Sequence, residues 1–331
     1  ARLAEALSRA GYAHFALEPG FTTPRNSRRR ADLGLERLAD GRVAIGFHER
    51  GSTRLIPMLE CHVLRPELVR LLGPLAEVLR HLSALRRLGA VLVNLLDTGP
   101  DILLRTDAPL TLHDRQRLAA FAVAHGIPRI AWAGKGTGVE VAAHHTPVSI
   151  ALHGVAVAPP PGAFLQASAE GEAAIIAAVL SGLPAKMGVR PRLADLYAGI
   201  GTLSFPLATL GVVEAFEGDA PAAAALTAAA HAAQSRVLPR RRDLVRQPLL
   251  AAELKAFAAV VLDPPFNGAA EQVAQISRSA LRRVVYVSCN PAALGRDAAV
   301  LREAGFRIEA ATPVDQFLWS PHLESVVAFG R

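Results

Sequence analysis

The segment RLADLYAGIGTLSFPLATL (residues 192–210) decides the fold of the second half of this chain. Its apolar start predicts a buried strand over 192–198, which runs into the turn Gly199-Ile200-Gly201 and a short helix over 203–210. Glycines at such a turn let the backbone approach a ligand and expose amide N–H groups at the helix N-terminus. The segment therefore predicts a ligand site at the carboxyl end of a parallel strand.

The same alternation of strand and helix continues to the C-terminus and predicts a doubly wound, mostly parallel α/β sheet. The last two strands have no helix between them, so we expect one of them to be antiparallel. The remaining predicted strands are 212–217, 258–263, 283–288, 307–312 and 324–329, and the helices are 169–182, 220–233, 270–281 and 292–304.

The first half has a different pattern, which predicts an α+β domain that ends at Pro159-Pro160-Pro161-Gly162. A hairpin turns at Asp40-Gly41. We therefore predict two domains, 1–160 and 161–331. The other predicted elements of the first domain are helices at 2–11, 66–87 and 112–125, and strands near 90–96, 102–106, 129–133, 138–143 and 148–158.

The basic residues are concentrated in the first half. Residues 1–160 hold 20 Lys and Arg against 14 Asp and Glu, whereas residues 161–331 hold 16 against 15. A basic half beside a near-neutral half suggests that the first half binds a polyanion and the second does chemistry. Heavy use of Arg would produce the same surplus in a GC-rich genome, so charge alone leaves RNA binding open. The densest basic group is Arg25, Arg28, Arg29 and Arg30.

The composition indicates a globular, cytoplasmic protein. Cys61 and Cys289 are the only cysteines among 331 residues, so we expect no disulfide framework and a reducing compartment. No apolar run reaches the roughly 18 residues of a membrane helix. The opening ARLAEALSRAGY predicts a short amphipathic helix rather than a signal peptide.

Several residues around the glycine turn suit a nucleoside cofactor. Glu217 ends the strand that follows the turn, where a carboxylate can bind ribose hydroxyls. The third glycine of a dinucleotide-binding G-x-G-x-x-G is replaced by Ser204. Together with Asp195 before the turn, a single G-x-G favours a cofactor without a pyrophosphate, S-adenosylmethionine, over a nicotinamide cofactor. A plain tight turn remains the alternative.

Three further candidates lie close to predicted strands. Asp263-Pro264-Pro265-Phe266 brings a carboxylate to a stiffened loop, and Asp243 precedes the same strand in a position to contact an adenine. Either Asp could instead be a helix cap or a surface charge. In YVSCNPAALGRD (residues 286–297), Cys289 comes directly after a buried strand. Most free cysteines are inert buried residues, so position alone leaves its role open.

Four segments in one order carry a family resemblance: DLYAGIGTLSFPLA, DPP, YVSCNPAALGRDAAVLREAGF and PVDQFLWSPHLESVV. With these, the chain resembles the bacterial RNA uridine-C5 methyltransferases, which make 5-methyluridine in transfer RNA and 23S ribosomal RNA. The match is strong over about 160–331 and weaker earlier, in SRRRADLGL and PGAFLQAS. It implies the Rossmann-like fold of class I methyltransferases, S-adenosylmethionine as cofactor, and a monomer acting on RNA, with ribosomal RNA favoured over transfer RNA.

The resemblance also implies roles for individual residues. Cys289 would be the nucleophile and Glu324 the base, and the cofactor would be held by Gln166, Tyr197, Glu217 and Asp263, beside Gly199, Gly201 and Asp243. Addition of a thiolate at uracil C6 makes C5 able to attack a methyl group, and a base must then remove the C5 proton. We expect the helix N-terminus after Cys289 to favour its thiolate. Phe317 and Trp319 are candidates to stack on a flipped base.

The chain departs from the family in ways that keep alternatives open. Phe266 stands where the family usually has Arg, so the loop resembles that of amino-group methyltransferases, and Thr202 stands where Asn is frequent. Ribosomal members often have four cysteines for an iron–sulfur cluster; only Cys61 matches one, so we expect no metal and a lost upstream part. A further hypothesis, beside uridine-C5 and amino-group methylation, is that the chain is a non-catalytic RNA-binding factor.

Overall fold

The computed structural model describes residues 2–49 and 51–331. The described helices are α1 (Arg2–Arg9), α2 (Pro66–Arg80), α3 (Leu112–Ala124), α4 (Ala169–Ser181), α5 (Ser204–Leu207), α6 (Ala220–Ala232), α7 (Ala251–Leu254), α8 (Ala270–Arg278) and α9 (Pro291–Glu303). The strands are β1 (Phe21–Thr22), β2 (Arg30–Arg37), β3 (Val43–His48), β4 (Leu55–Pro57), β5 (Leu88–Leu96), β6 (Gly99–Thr106), β7 (Arg129–Ala133), β8 (Val139–His144), β9 (Ile150–Leu152), β10 (Val155–Val157), β11 (Arg192–Leu196), β12 (Val212–Glu217), β13 (Val237–Arg241), β14 (Ala259–Leu262), β15 (Arg283–Ser288), β16 (Arg307–Asp315) and β17 (Glu324–Gly330).

The described residues form two compact units. One, the C-terminal unit, comprises 2–23, 151–157 and 170–331; the other, the central unit, comprises 24–49, 51–150 and 158–169. Helix α1, which the sequence placed with the first half, belongs to the C-terminal unit and packs against α9. Its Leu3 and Leu7 join the hydrophobic core of that unit. Functional domains divided at residue 160 stay a prediction.

The C-terminal unit is built on an eight-stranded sheet in the order β1-β16-β17-β15-β14-β11-β12-β13. The strands pair in parallel except β17, which is antiparallel to both β15 and β16. This confirms the predicted doubly wound α/β fold with one antiparallel strand. Because the chain proceeds from β11 to β13 in one direction and then returns to β14 on the other side, a topological switch point lies between β11 and β14.

The central strands of this sheet are apolar along their whole length. Every residue of β14 is buried, and so are the last five residues of β15. Such continuous apolar runs are typical of parallel strands covered on both faces. The core also contains the fully buried rings of Tyr286, Phe306 and Phe329, which fix the position of the strand ends.

The central unit contains a seven-stranded mixed sheet in the order β4-β3-β2-β5-β6-β7-β8, with α2 and α3. The predicted hairpin at Asp40-Gly41 is confirmed as β2–β3. Helix α2 ends at Arg80 rather than 87. The predicted strand 148–158 is instead a hairpin, β9–β10, because His153 and Gly154 adopt left-handed φ of 49° and 82°. Within the described residues, no helix has the length and apolar character needed to cross a membrane.

Candidate active site

Four predicted site segments meet at the carboxyl edge of the C-terminal sheet. Tyr197 and Gly199 follow β11, Asp263 follows β14, and Cys289 follows β15. Glu324 is the first residue of β17, and because β17 is antiparallel, its first residue lies at this same edge. The arrangement surrounds the topological switch point, where open α/β sheets bind their ligands.

Cys289 and Glu324 are brought opposite one another by strand register. Ser288, the last residue of β15, pairs with Ser325 of β17, so the next residues outward are Cys289 and Glu324. The two are 35 positions apart in the chain. A thiol and a carboxylate therefore face the same space above the strand ends.

The Glu324 side chain is buried and only partly satisfied. One carboxylate oxygen, Oε2, accepts a hydrogen bond from Gln316 Nε2 at 3.0 Å, and both residues are buried. The other oxygen, Oε1, is buried without a hydrogen-bond partner among the described residues. Burial, reinforced by the negative charge of Asp263, raises the pKa of Glu324 to about 8. A carboxylate with so high a pKa is a stronger base than one exposed to water.

The Cys289 thiol is half-buried, and its pKa is raised rather than lowered. Burial, followed by the charges of Glu324 and Asp263, raises its pKa to about 11. Burial and the two carboxylates thus outweigh the stabilisation of a thiolate that we expected from the start of α9. The amides at the start of α9 are also capped by Asn290, whose Oδ1 accepts from Ala292 N at 3.1 Å. The thiol must lose its proton as it reacts.

The glycine turn leaves open space for a ligand. Gly199 has a left-handed φ of 56°, and a Cβ added there would meet nothing within 4 Å. Gly201 has φ 104°, and a Cβ there would lie 2.6 Å from Leu226. The Gly199 amide donates to Glu217 Oε2 at 2.7 Å, and Asp219 N donates to the other Glu217 oxygen at 2.7 Å. The missing side chain of Gly199 thus leaves room for a ligand, whereas that of Gly201 allows the turn to pack against Leu226.

Asp195 explains why Ser204 replaces the third glycine. The Ser204 hydroxyl donates to Asp195 Oδ2 at 2.5 Å, and both residues are fully buried. Burial raises the pKa of Asp195 to about 7 against the effect of this hydrogen bond, with a further contribution from Asp263 and Glu217. Sequence reasoning treated Ser204 only as a missing glycine, although its spacing from Asp195 was visible.

Two other predicted cofactor residues lie in the C-terminal unit. Tyr197 has a left-handed φ of 64°, and its hydroxyl is buried without a partner among the described residues. Asp243 is exposed after β13, where its Oδ1 accepts from Val245 N at 3.1 Å. Its Cα lies 3.3 Å from the Cβ position of Gly218, beside Glu217. Asp243 therefore lies near the turn after β12 and also caps its own turn.

The loop before Glu324 presents aromatic rings. The His322 ring lies 6.0 Å from Phe266 and 6.0 Å from Phe317, edge-on to both. Trp319 is 66% exposed. The sequence suggested Phe317 and Trp319 as stacking residues but missed His322 and Gln316, which stand in the same PVDQFLWSPHLE segment. Their roles depend on contacts that spacing does not reveal.

The remaining predicted residues lie in the central unit. Gln166 is buried, and its carbonyl accepts from Arg29 Nε at 3.2 Å. Arg28 Nε donates to the Arg30 carbonyl at 2.9 Å, and the Arg30 guanidinium lies 5.2 Å from the Phe164 ring. Burial lowers the pKa of Arg28 and Arg30. Arg28, Arg29 and Arg30 thus make contacts within the central unit that stabilise their own segment. The Arg25 side chain is exposed to solvent.

Metal ligation finds no support in the described part of the chain. No group of three or more His, Cys, Asp or Glu residues there is placed to hold a metal ion. Cys61 is a free thiol whose sulfur accepts a hydrogen bond from Leu64 N at 3.4 Å.

Comparison with known proteins identifies the family of the chain. Residues 226–331 match the model of the tRNA (uracil-5-)-methyltransferase family. The chain is 39% identical to an uncharacterized RNA methyltransferase of Caulobacter vibrioides over 95% of its length and 75% of that protein. It is 33% identical to the 23S rRNA (uracil(1939)-C(5))-methyltransferase RlmD of Erwinia tasmaniensis, over 93% of this chain and 70% of that one.

A solved structure shows the same fold. The tRNA (uracil-54, C5)-methyltransferase of Pyrococcus abyssi, in complex with S-adenosyl-L-homocysteine, has a TM-score of 0.70 to this chain at 18% identity. The likeness covers 99% of this chain and 81% of that one.

Proposed function

Because the chain belongs to the family of RNA uracil-C5 methyltransferases, we propose that it transfers a methyl group from S-adenosylmethionine to C5 of a uridine in RNA. The observation that carries the proposal is that strand register places Cys289 next to the buried Glu324 at the carboxyl edge of the sheet. Ribosomal RNA is favoured over transfer RNA because a relative 33% identical to the chain is named for 23S rRNA. Action as a cytoplasmic monomer stays a prediction.

The residues around the glycine turn fit the proposed cofactor. The open side of Gly199 gives room for a nucleoside, and each Glu217 oxygen keeps a lone pair for a ribose hydroxyl. The unpartnered Tyr197 hydroxyl and the Asp243 carboxylate are further polar contacts. When bound, the cofactor supplies an electrophilic methyl group on a positively charged sulfur, a charge that offsets those of Asp263 and Glu324. The contribution of Gln166 is proposed from the resemblance alone.

Cys289 and Glu324 divide the chemistry on the uracil ring. The Cys289 sulfur bonds to C6, its thiol proton leaves to water, and the ring electrons move to O4 as an enolate. C5 then attacks the methyl group, whose bond to the cofactor sulfur breaks, so that S-adenosylhomocysteine leaves as a neutral thioether. Glu324 removes the C5 proton, the C5–C6 double bond re-forms as the C6–sulfur bond breaks, and the departing thiolate takes a proton from water. The raised pKa of Glu324 suits it to accept a proton from carbon.

The loops that carry these residues provide surfaces for the flipped base. The His322 ring, two residues before Glu324, has Phe266 and Phe317 edge-on at 6.0 Å each. Stacking on such rings stabilises a base that has left its helix. The exposed Arg25 and its neighbours Arg28, Arg29 and Arg30 are proposed to contact the RNA backbone.

The test is a covalent trap. RNA containing 5-fluorouridine should form an adduct with the protein that survives a denaturing gel, because fluorine at C5 cannot leave as a proton does. The adduct should require Cys289 and S-adenosylmethionine and should vanish in Cys289→Ala. Methyl transfer that persists in Cys289→Ala would overturn the proposal in favour of amino-group methylation through the Asp263–Phe266 loop. RNA binding with neither adduct nor methyl transfer would favour a non-catalytic factor.

A further inference from the structure

A cleft of about 700 Å³ runs between α1 and α9 in the C-terminal unit and begins beside the active site. Asn290, which directly follows Cys289, lines it, as does Pro321, three residues before Glu324. The two helices cross closely because Gly295 has no side chain; a Cβ there would lie 3.2 Å from the Ala6 carbonyl oxygen. We call this cleft the α1–α9 groove.

Three exposed arginines line the α1–α9 groove: Arg2, Arg9 and Arg296. Among the described residues that line it, Glu5 is the only acidic one, and it pairs with Arg9 at 2.5 Å, both side chains being largely exposed. The lining therefore carries a surplus of two positive charges. The positive end of the α9 dipole lies at Asn290 and adds to this field.

Two of the arginines are fixed to the loops that carry catalytic residues. Arg2 donates to the Pro321 carbonyl, in the loop before Glu324. Arg296 donates to the Asn267 carbonyl at 3.3 Å, in the loop after Asp263. An arginine has five N–H donors, so each keeps several for a ligand. These contacts place fixed positive charge on the active-site loops, which a general excess of surface arginine would not do.

We propose that the α1–α9 groove binds the phosphodiester backbone of the RNA strand adjoining the target uridine. This rests on the proposed function, since it assigns the groove to the same substrate. A base can leave its stack only if the neighbouring backbone is held, and guanidinium groups bind phosphate with directed hydrogen bonds.

The test measures RNA affinity rather than turnover. Binding of a short fluorescein-labelled single-stranded RNA is followed by anisotropy between about 50 and 200 mM salt. The double variant Arg9→Gln, Arg296→Gln should weaken binding about tenfold. It should also reduce the slope of log K against log salt by about 1.4, since each single-strand phosphate contact contributes about 0.7. S-adenosylmethionine affinity, measured by calorimetry, should not change.

Two further variants keep the test decisive. Arg282→Gln removes an exposed arginine just before β15, at the opposite end of that strand from Cys289, and should leave the salt slope unchanged. Glu5→Gln should strengthen RNA binding two- to threefold, because it frees Arg9 and removes the one negative charge. The groove assignment is overturned if the double variant and Glu5→Gln both bind like Arg282→Gln. Failure of the proposed function shows separately, as wild-type protein that forms no 5-fluorouridine adduct.

Discussion

Replacing Glu324 by Gln should stabilise the folded protein relative to wild type as the pH rises, although replacing a buried charged residue usually destabilises a protein. Gln is close in shape and still accepts from Gln316, but it cannot ionise. Between about pH 4.5 and 8, folded Glu324 holds a proton that the unfolded chain has released, so wild-type stability falls as pH rises. The stability that wild-type protein gains from keeping this proton is fully present below pH 4.5 and lost above about pH 8. Glu324→Gln should therefore become progressively more stable than wild type.

The magnitude follows from the two pKa values. At about 1.4 kcal/mol per pKa unit, a rise from 4.5 to about 8 corresponds to roughly 5 kcal/mol in favour of Glu324→Gln above pH 8. That is a large fraction of the roughly 5–15 kcal/mol that stabilises a folded domain. Burial supplies most of the effect and Asp263 the next part.

Urea unfolding followed by far-UV circular dichroism, at about pH 5, 7 and 9 without cofactor, measures the difference. Glu303→Gln, an exposed change at the end of α9, controls for the general loss of one negative charge. A stability difference between Glu324→Gln and wild type that stays constant from pH 5 to 9 would refute the reasoning. It would mean that Glu324 ionises alike in the folded and unfolded states.

Three further predictions concern neighbouring residues. Gln316→Leu should raise the pKa of Glu324 further and move the rising limb of kcat/KM to higher pH, since Gln316 lowers that pKa by its hydrogen bond; an unmoved pH profile would contradict this positioning role. Glu217→Gln should weaken S-adenosylmethionine binding about tenfold, or about 1.4 kcal/mol, in calorimetry while RNA affinity stays constant. Gly199→Ala should cost about 1–2 kcal/mol through its left-handed φ and weaken cofactor binding by filling open space. Gly201→Ala should mainly destabilise the fold, and equal effects of the two on cofactor affinity would be evidence against the open side at Gly199.

Local patterns in the sequence were sufficient to predict most strands and helices, the glycine turn and the candidate nucleophile, but not the edge strands β1, β4 and β13. Apolar runs of strand length, bounded by Gly, Pro and Asn, leave few other arrangements for residues 192–331. The predicted bounds were wrong in two places. The strand predicted over 148–158 is interrupted by the left-handed turn at His153, and α2 ends before residue 87. The antiparallel last strand followed from the missing helix between β16 and β17.

Tertiary structure alone decided how the candidate residues meet. Cys289 faces Glu324 because β17 inserts between β15 and β16, which local spacing does not specify. Gln316 and Ser204 acquire partners only in the folded chain. The raised pKa values of Cys289 and Glu324 come first from burial and then from nearby carboxylates, Glu324 and Asp263 for Cys289 and Asp263 for Glu324. Burial and the distances between charges are set by packing of elements far apart in the chain, so no local pattern records them.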